Sequence, residues 1–238
     1  MDLKETDLLG ADVSRHWYYQ SKARAMRHML QGTFPQRVLD VGAGSGFFTQ
    51  TLMAQASTIE GWCLDISYRQ DSELIWHGKR VHFVRQMEHV DADLVLFMDV
   101  LEHVDDDVGL LSDVLRRVAP QAKVLISVPA FQSLWSGHDV FLEHKRRYRL
   151  QGIESVAERA GLQVLAGCYY FGAVFPVAAL LRGASRWLGS PHQEPRSQLK
   201  RHSPWVNATL SAACSLELAG MRHNRLAGLT AFCLAQRR

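Results

Sequence analysis

The feature that most constrains the fold of this chain is a glycine-rich turn between two regular segments. The segment before the turn, residues 37–41 (RVLDV), is typical of a buried parallel strand, and residues 47–56 (FFTQTLMAQA) are typical of a helix. Between them, Gly42, Gly44 and Gly46 allow the backbone to approach a ligand closely where the helix begins. This order predicts an α/β domain that binds a ligand at the turn.

Strand-like and helix-like segments alternate along most of the chain with short connections. We predict seven strands, at 37–41, 58–66, 81–84, 93–100, 123–129, 162–171 and 226–236. We predict helices at 14–31, with Ser14 as its N-cap, and at 47–56, 68–78, 105–118, 151–160, 175–188 and 205–218. The alternation predicts a doubly wound, mostly parallel sheet with helices on both faces and a helical insert between the last two strands.

Composition narrows the classes of protein to which the chain can belong. A chain of 238 residues, 47% hydrophobic and 21% charged, can bury a sizeable core, which excludes disordered, collagen-like and disulfide-scaffold proteins. Four scattered cysteines without a C-x-x-C pair predict a reduced, cytoplasmic protein that lacks structural disulfides and a zinc site. We find no signal peptide and no apolar run long enough to span a bilayer.

Charge is unevenly distributed along the chain. The net charge of +3 is too small to indicate a nucleic-acid partner. Residues 182–238, however, carry nine Lys and Arg side chains against only Glu194 and Glu217. This basic quarter favours a local anionic partner such as phosphate, an acidic lipid or an acidic carrier protein, and a solvated surface explains it equally well.

The spacing of the glycine turn indicates the chemistry of its ligand. A dinucleotide fingerprint reads G-x-G-x-x-G, whereas this turn reads G-x-G-x-G and places Phe47 where the third glycine would stand. Asp40 precedes the turn, and a carboxylate there disfavours a diphosphate and suits a cation. Asp65, at the end of the second strand, can accept both ribose hydroxyls of a nucleoside. These features point to S-adenosylmethionine, with a turn or N-cap role as the alternative for Asp65.

VLDVGAGSGFF, the acid after the second strand and DLVLFMDVLEHV together resemble the class I S-adenosylmethionine-dependent methyltransferases. The chain is most similar to the bacterial small-molecule group that includes the ubiquinone-type O-methyltransferases. The resemblance covers residues 14–170 and the last strand, and implies a Rossmann-like fold. It also implies three parts, namely an N-terminal helical lid (1–35), a core (36–170 and 226–238) and a helical insert (171–225) that caps the acceptor.

The resemblance implies a set of cofactor contacts at the carboxyl ends of the strands. The methionine moiety is expected beside Asp40 and the turn, and beside the end of the fourth strand. Asp65 is expected to hold the ribose and Ile66 to pack on the adenine, whose amino group either Gln86 or Glu88 receives. The full set is Asp40, Gly42, Ala43, Gly44, Ser45, Gly46, Asp65, Ile66, Gln86, Met87, Glu88, Asp99, Val100 and Leu101.

Methyl transfer depends mostly on positioning, and a base is needed only where the acceptor arrives protonated. His138 is our first candidate for that base, His144 the second and His103 the third, with Asp139 able to orient one of them. The alternative is that these residues hold the loop together, with Arg147 and Tyr148 bridging to the sheet. We expect no metal, because Asp105 to Asp107 near Glu102 and His103 also suit a helix start.

Aromatic side chains are concentrated in two segments. Those of His16 to Tyr19 either cover the cofactor as part of a lid or pack the first helix on the sheet. Those of the insert, interleaved with Arg182, Arg186, Lys200 and Arg201, indicate an apolar acceptor pocket with a cationic rim, a membrane-docking surface or ordinary packing. They are Tyr169, Tyr170, Phe171, Phe175, Trp187 and Trp205.

The sequence therefore predicts a cytoplasmic enzyme that methylates a small, largely apolar acceptor, most simply at oxygen. Aromatic, quinone-like, lipidic and carrier-bound acceptors fit the prediction, and peripheral membrane contact stays open. The alternatives are a nucleic-acid or protein methyltransferase and a non-catalytic cofactor-binding subunit. No Asn/Asp-Pro-Pro-aromatic motif follows the fourth strand, which argues against methylation of a flipped adenine.

Overall fold

A single eight-stranded mixed sheet organises the chain. The computed structural model describes residues 15–54, 57–87, 89–187 and 203–237. The strands are β1 (Arg37–Val41), β2 (Glu60–Leu64), β3 (Ser72–Trp76), β4 (Lys79–Val84), β5 (Leu94–Met98), β6 (Lys123–Pro129), β7 (Leu162–Tyr170) and β8 (Thr230–Arg237). They lie in the order β3-β4-β2-β1-β5-β6-β8-β7.

Seven helices accompany the sheet in the described residues. They are α1 (Trp17–Met29), α2 (Phe47–Met53), α3 (Asp107–Leu115), α4 (Gly137–Phe141), α5 (Leu150–Arg159), α6 (Phe175–Trp187) and α7 (Pro204–Met221). Short 3₁₀ turns follow β5 at Leu101–His103 and β6 at Gln132–Leu134. The helices predicted around 47–56, 105–118, 151–160, 175–188 and 205–218 are present with shifted ends, and α4 was not predicted.

The number of strands and the segment after β2 correct the sequence prediction. We predicted seven strands and a helix over 68–78, but residues 72–76 form β3, which pairs antiparallel with β4. His77 and Gly78 both have positive φ, 50° and 76°, as a two-residue hairpin turn requires. Pairing with β4 across this tight turn outweighs the helix propensity of the segment, because alternate backbone groups of β3 find partners on β4.

The sheet is parallel at its centre and antiparallel at both edges. β4, β2, β1, β5 and β6 run parallel to one another, while β3 is antiparallel to β4, β8 is antiparallel to β6 and β7 is antiparallel to β8. The carboxyl ends of the five parallel strands therefore meet at one edge of the sheet. Open α/β sheets bind ligands outside this edge, so it is the place to look for the predicted site.

The side chains of alternate residues in the central strands pack on opposite faces of the sheet. In β5, Val95 and Phe97 belong to the core that includes residues of α3 and α5. Leu94, Leu96 and Met98 belong to the core that includes residues of α1 and α2. Both faces are covered, which explains why the strand reads as a continuous apolar run.

Helix α1 docks with a stripe of buried side chains. Tyr19, Ala23 and Met26 recur at helical spacing and are 2% exposed or less. The helix begins at an N-cap formed by His16, whose side chain accepts a hydrogen bond from the backbone N–H of Tyr18. The predicted N-cap, Ser14, lies outside the described residues, and so does most of the loop predicted at 189–204.

Candidate active site

The glycine turn between β1 and α2 has the backbone that only glycine adopts easily. Gly42, Gly44 and Gly46 have φ values of 65°, 56° and 72°, all in the left-handed region. A Cβ atom on Gly42 would lie 2.7 Å from Cγ2 of Val100, and one on Gly46 would lie 3.0 Å from Sγ of Cys63. At Gly42 and Gly46, both the backbone conformation and the lack of space for a Cβ atom therefore require glycine. Ala43 and Ser45 complete the turn between them.

Asp40 belongs to β1, just before the turn, and is almost completely buried, with 1% of its surface exposed. Its carboxylate accepts a hydrogen bond of 2.9 Å from the hydroxyl of Thr49. Burial raises the pKa of Asp40 to about 6, and the hydrogen bond from Thr49 opposes that rise. The carboxyl group is therefore tied to α2 and almost fully shielded from solvent.

Asp65 follows β2 and is joined to the turn by hydrogen bonds. Its Oδ2 accepts from the backbone N–H of Gly44 at 2.9 Å, and its Oδ1 accepts from the N–H of Ser67 at 2.9 Å. The hydroxyl of Tyr68 donates to the carbonyl of Gly44 at 2.6 Å. Each carboxylate oxygen keeps a further lone pair, so Asp65 can still accept two hydroxyl groups.

A cleft of about 750 Å³ opens beside the turn at the carboxyl ends of β1, β2 and β4. Asp65 forms part of its wall, and Ile66, with 83% of its surface exposed, presents an apolar side chain to it. Other predicted cofactor residues on the wall are Gly42, Gln86, Met87 and Val100. Leu101 is fully buried in the core instead, and Glu88 lies outside the described residues.

Asp99, which follows β5, forms a buried ion pair with Lys22 of α1. Its backbone has φ of 57°, and Nζ of Lys22 also lies 5.4 Å from the centre of the Tyr18 ring. Burial by itself lowers the pKa of Lys22, but Asp99 raises it above its ordinary value. Burial raises the pKa of Asp99, and Lys22 brings it below its usual range, so both groups are charged.

A second cavity, of about 350 Å³, lies next to Asp99. It is enclosed by side chains of α1, α4, α6 and the loops after β5 and β6. All three predicted histidines, His103, His138 and His144, lie on its wall. Its apolar wall includes Tyr18, Leu142, Ala178, Leu181 and Leu229.

The loop after β6 holds His144 through one buried carboxylate, that of Asp139. Its Oδ1 lies 2.9 Å from Nδ1 of His144, and Arg147 binds both of its oxygens at 2.6 and 3.0 Å. Burial raises the pKa of Asp139, but the hydrogen bonds from His144 and Arg147 bring it well below its usual value. Because an ionised carboxylate can only accept, His144 carries a proton on Nδ1 and directs Nε2 away from Asp139.

The bridging roles considered for Arg147 and Tyr148 are also present. Arg147 donates to the carbonyl of Ala130, and the hydroxyl of Tyr148 contacts the carbonyl of Leu101 and the carboxylate of Asp107. Asp106 accepts from the N–H of Gly109 as the N-cap of α3, as an acid at a helix start was expected to do. The loop is therefore held on the sheet while its histidines face the cavity.

Glu102 differs from the other acids of this region because its buried carboxylate lacks a hydrogen-bond partner in the described part of the chain. Its side chain is fully buried, and neither carboxylate oxygen has a hydrogen-bond partner among the described residues. Burial, followed by the nearby charge of Asp99, raises the pKa of Glu102 well above its ordinary value. Oε1 lies 4.0 Å from Nε2 of His144, too far for a hydrogen bond.

Aromatic residues of α1 join this helix to the end of β7. Tyr18 stacks on Phe171 with ring centres 5.1 Å apart, and Trp17 meets the same ring edge-on at 5.8 Å. Trp17, Tyr18 and Tyr19 all lie on the wall of the second cavity. The aromatic run therefore packs α1 and also lines the second cavity, whereas its role as a lid over the cofactor stays a prediction.

Sequence reasoning missed two residues of this site. Lys22 stands in a polar-looking stretch of α1, and only the fold reveals that it is fully buried against Asp99. Tyr68 was assigned to a helix that does not form, so its hydrogen bond to Gly44 was not foreseen. Glu102 was identified from the sequence only as part of an acidic cluster, and its burial was not predicted.

Comparison with known proteins identifies the family of this chain. Residues 14–166 match the family described as methyltransferase domain, so the chain belongs to that family. It is a class I S-adenosylmethionine-dependent methyltransferase, and S-adenosylmethionine is its cofactor. No curated protein matches the sequence, and a closest relationship to the ubiquinone-type enzymes is not shown.

Solved structures share the fold at low sequence identity. A SAM-dependent methyltransferase from Thermotoga maritima is 14% identical, with a TM-score of 0.60 over 99% of this chain and 96% of that one. The plantazolicin methyltransferase BpumL, solved with S-adenosylhomocysteine, is 13% identical, with a TM-score of 0.56 over 98% and 88%. A SAM-dependent methyltransferase from Archaeoglobus fulgidus is 14% identical, with a TM-score of 0.52 over 91% and 94%.

Two further properties of the described residues are the state of the cysteine thiols and the apolar length of the helices. Cys63, Cys168, Cys214 and Cys233 are all free and buried. None of the helices in the described residues combines the length and apolar character needed to cross a bilayer.

Proposed function

We propose that this enzyme transfers the methyl group of S-adenosylmethionine to an oxygen atom of a small, largely apolar acceptor. The acceptor oxygen attacks the methyl carbon in line with the sulfur, the new C–O bond forms and the S–C bond breaks. S-adenosylhomocysteine is the other product, and the hydroxyl proton leaves to a base. Because the sulfonium is already a good leaving group, alignment of the two reactants supplies most of the rate.

The observation that carries this proposal is the position of two cavities at one edge of the sheet. The cleft has Asp65, the exposed Ile66 and Gly42 of the glycine turn on its wall, which suits a nucleoside. The second cavity is mainly apolar and contains the histidines. Asp99 lies on the wall of the second cavity, and Val100, the next residue, lies on the wall of the cleft. A methyl group held near this strand end can therefore face an acceptor in the second cavity.

Within the cleft we propose the cofactor contacts expected from the sequence, with two adjustments. Asp65 accepts hydrogen bonds from the ribose, Ile66 packs on the adenine, and Gln86 and Met87 flank it. The backbone of Gly42 to Gly46 holds the methionine moiety, whereas Asp40 acts by supporting this turn from behind. Leu101 supports Val100 from the core and does not itself touch the ligand.

For the base we retain His138 as the first candidate. Burial lowers the pKa of His138 to about 4, so its imidazole is neutral near pH 7 and able to accept a proton. A base of this pKa is weak, and it works best on a hydroxyl group that is already acidic or made acidic by its surroundings. His144 is held by Asp139 with Nε2 free to contact a ligand, and it lies on the same cavity wall.

The chain parts implied by the resemblance fit this proposal as a lid and a cap. Trp17 and Tyr18 of α1 close one side of the second cavity, and Leu181 and Arg182 of α6 close another. Leu180 and Leu181 are about 70% exposed, so α6 offers an apolar surface near the cavity. These features support an apolar acceptor, and lipidic or carrier-bound molecules remain within the proposal.

The cofactor part of the proposal is tested with Asp65→Ala and a control, Asp91→Asn, which alters an exposed acid paired with Arg37. Calorimetry with S-adenosylhomocysteine measures the affinity of each variant. We expect Asp65→Ala to weaken binding about 10- to 100-fold, as loss of charge-assisted hydrogen bonds does, and the control to bind normally. Unchanged affinity of Asp65→Ala would remove the ribose role from this residue.

The acceptor part is tested by transfer of a labelled methyl group to a panel of phenolic, quinone-like, fatty and carrier-bound hydroxyl compounds. Mass spectrometry of the product identifies the atom that is methylated. We expect an O-methyl product, and His138→Ala should lower kcat about 10²- to 10⁴-fold without changing the affinity for S-adenosylhomocysteine. Methylation only at nitrogen or carbon across the panel would contradict the choice of oxygen.

A further inference from the structure

We propose that Glu102, His103 and His144 form a binding site for a divalent transition-metal ion at the wall of the acceptor cavity. The proposal rests on the proposed function, because it assigns the ion to the activation of the acceptor hydroxyl. It departs from the expectation that the chain uses no metal, which was based on the acids at Asp105 to Asp107. The three proposed ligands come from two loops, those that follow β5 and β6.

The first argument is the geometry of the three side chains. One ligand atom from each of Glu102, His103 and His144 can be chosen so that all three lie within 4.8 Å of one another. Nε2 of His144 and Oε1 of Glu102 are 4.0 Å apart. Two atoms at about 2.1 Å from a tetrahedral zinc ion are about 3.4 Å apart. The Glu102–His144 pair must therefore close by about 0.6 Å, and no pair of the three atoms must close by more than about 1.4 Å.

The second argument is the state of Glu102. An ionised carboxylate that is fully buried without a partner is strongly unfavourable. Protonation does not resolve the problem, because the resulting O–H group would still need an acceptor, and neither oxygen has a partner in the described part of the chain. A cation bound between Glu102 and the two imidazole rings would satisfy the carboxylate directly.

The third argument is the set of hydrogen bonds that orients the ring of His144. Asp139 accepts the hydrogen of Nδ1, which leaves the Nε2 lone pair facing Glu102. Asp139 is in turn fixed by Arg147 and by the N–H and hydroxyl of Ser136. A metal-binding histidine in proteins is usually oriented by a carboxylate in this way. An arrangement that served only to hold the loop would not need the ring to face a buried carboxylate.

The donor set indicates the class of ion. Two imidazole nitrogens and one carboxylate oxygen suit zinc, cobalt or manganese better than magnesium or calcium, which prefer oxygen ligands. Three protein ligands leave a position open for another molecule, as in catalytic sites. The acceptor hydroxyl can take that position, which lowers its pKa and makes it a nucleophile near neutral pH. Its proton passes to the neutral His138 and then to solvent.

The test uses the full chain, freed of metal with a chelator and then titrated with Co²⁺. We expect one Co²⁺ per chain with the visible absorption of a low-symmetry nitrogen–oxygen site, and calorimetry should give the same stoichiometry for Zn²⁺. Glu102→Gln keeps the size of the side chain and should abolish the band or weaken binding at least 10-fold. Asp139→Asn weakens the contact that orients His144, together with the ion pair to Arg147, and should weaken binding about 10- to 100-fold.

The matched control is His82→Gln. His82 contacts Glu60 and Glu73 at 2.9 and 3.2 Å on β4, three strands away from β5 in the sheet, and forms another histidine–carboxylate cluster. The His82→Gln variant should bind Co²⁺ with the affinity of the wild type. Equal Co²⁺ affinity in wild type and Glu102→Gln, or no absorption band in wild-type protein, would overturn the metal site.

Failure of the metal site and failure of the proposed function give different results. Protein that binds S-adenosylhomocysteine but not Co²⁺ or Zn²⁺ refutes only the metal inference. Protein that binds Co²⁺ at Glu102 but transfers no methyl group to any hydroxyl compound refutes the proposed acceptor chemistry. If both are correct, chelation lowers kcat at least 10-fold and Zn²⁺ or Mn²⁺ restores it, while the affinity for S-adenosylhomocysteine stays constant.

Discussion

The ion pair between Lys22 and Asp99 joins helix α1 to the centre of the sheet, and its removal gives the clearest test of the structure. Lys22 is fully buried, whereas the side chain of Asp99 is 25% exposed. Lys22→Met keeps the length of the apolar stem and removes only the charge. Asp99→Asn keeps a side chain that tolerates the left-handed backbone of this position.

The two substitutions should have unequal costs. Removal of one partner of a buried ion pair costs about 3–5 kcal/mol, because the other charge is left uncompensated. Lys22→Met leaves Asp99, which solvent partly reaches, so we expect about 3 kcal/mol. Asp99→Asn leaves the ammonium group of Lys22 without access to water, so we expect a cost nearer to 5 kcal/mol.

The assay is equilibrium unfolding in urea, with melting temperature as a second measure. At about 2–4 °C per kcal/mol for a chain of this size, Lys22→Met should lower Tm by about 6–12 °C. The double variant should be less destabilised than the sum of the single variants, with a coupling energy of about 2 kcal/mol. Asp99 has a lowered pKa in the folded state, so its contribution is present above about pH 4 and is lost as the pH falls further.

Additive single variants, or a cost below 1 kcal/mol for both, would refute this reasoning. Either result would mean that the two groups do not interact in the folded protein. A smaller cost for Asp99→Asn than for Lys22→Met would contradict the assigned burial, because it would place the better-solvated charge on Lys22.

Two further predictions concern the glycine turn. Gly42→Ala should weaken S-adenosylhomocysteine binding at least 10-fold, because φ is 65° and the new Cβ would lie 2.7 Å from Val100; Gly152→Ala, in open space on α5, is the control and should not weaken it. Asp40→Asn should flatten the pH profile of stability. The Asp40 carboxyl stays protonated in the folded state up to about pH 6, whereas in the unfolded chain it ionises near pH 4. Wild-type stability should therefore fall by up to about 3 kcal/mol relative to the variant between pH 4 and 6, and parallel urea-unfolding profiles would contradict this.

The central part of the fold was predictable because its signals are local. The buried strand over 37–41, the glycine turn and the following helix each follow from the residues in that segment alone. The apolar runs at 94–98 and 123–129 identify central strands because both of their faces are buried. The hairpin at 72–84 was missed, since its first strand is recognisable only once β4 is present to pair with it.

The candidate site divides in the same way. Gly42, Asp65 and the histidines after β5 and β6 were identified from their types and their positions relative to strands. The roles of Lys22, Glu102 and Asp139 depend on burial and on partners 77, 42 and 5 residues away, respectively. Sequence spacing shows only the shortest of these separations.

The sequence by itself determined the α/β class, the glycine turn and the methyl donor, because backbone conformation and strand burial are written in neighbouring residues. Tertiary structure alone decided which charges lack water, which histidine is fixed by a carboxylate and where the two cavities meet. These properties depend on how much solvent each group loses when distant segments pack together, and no short stretch of the chain contains that information.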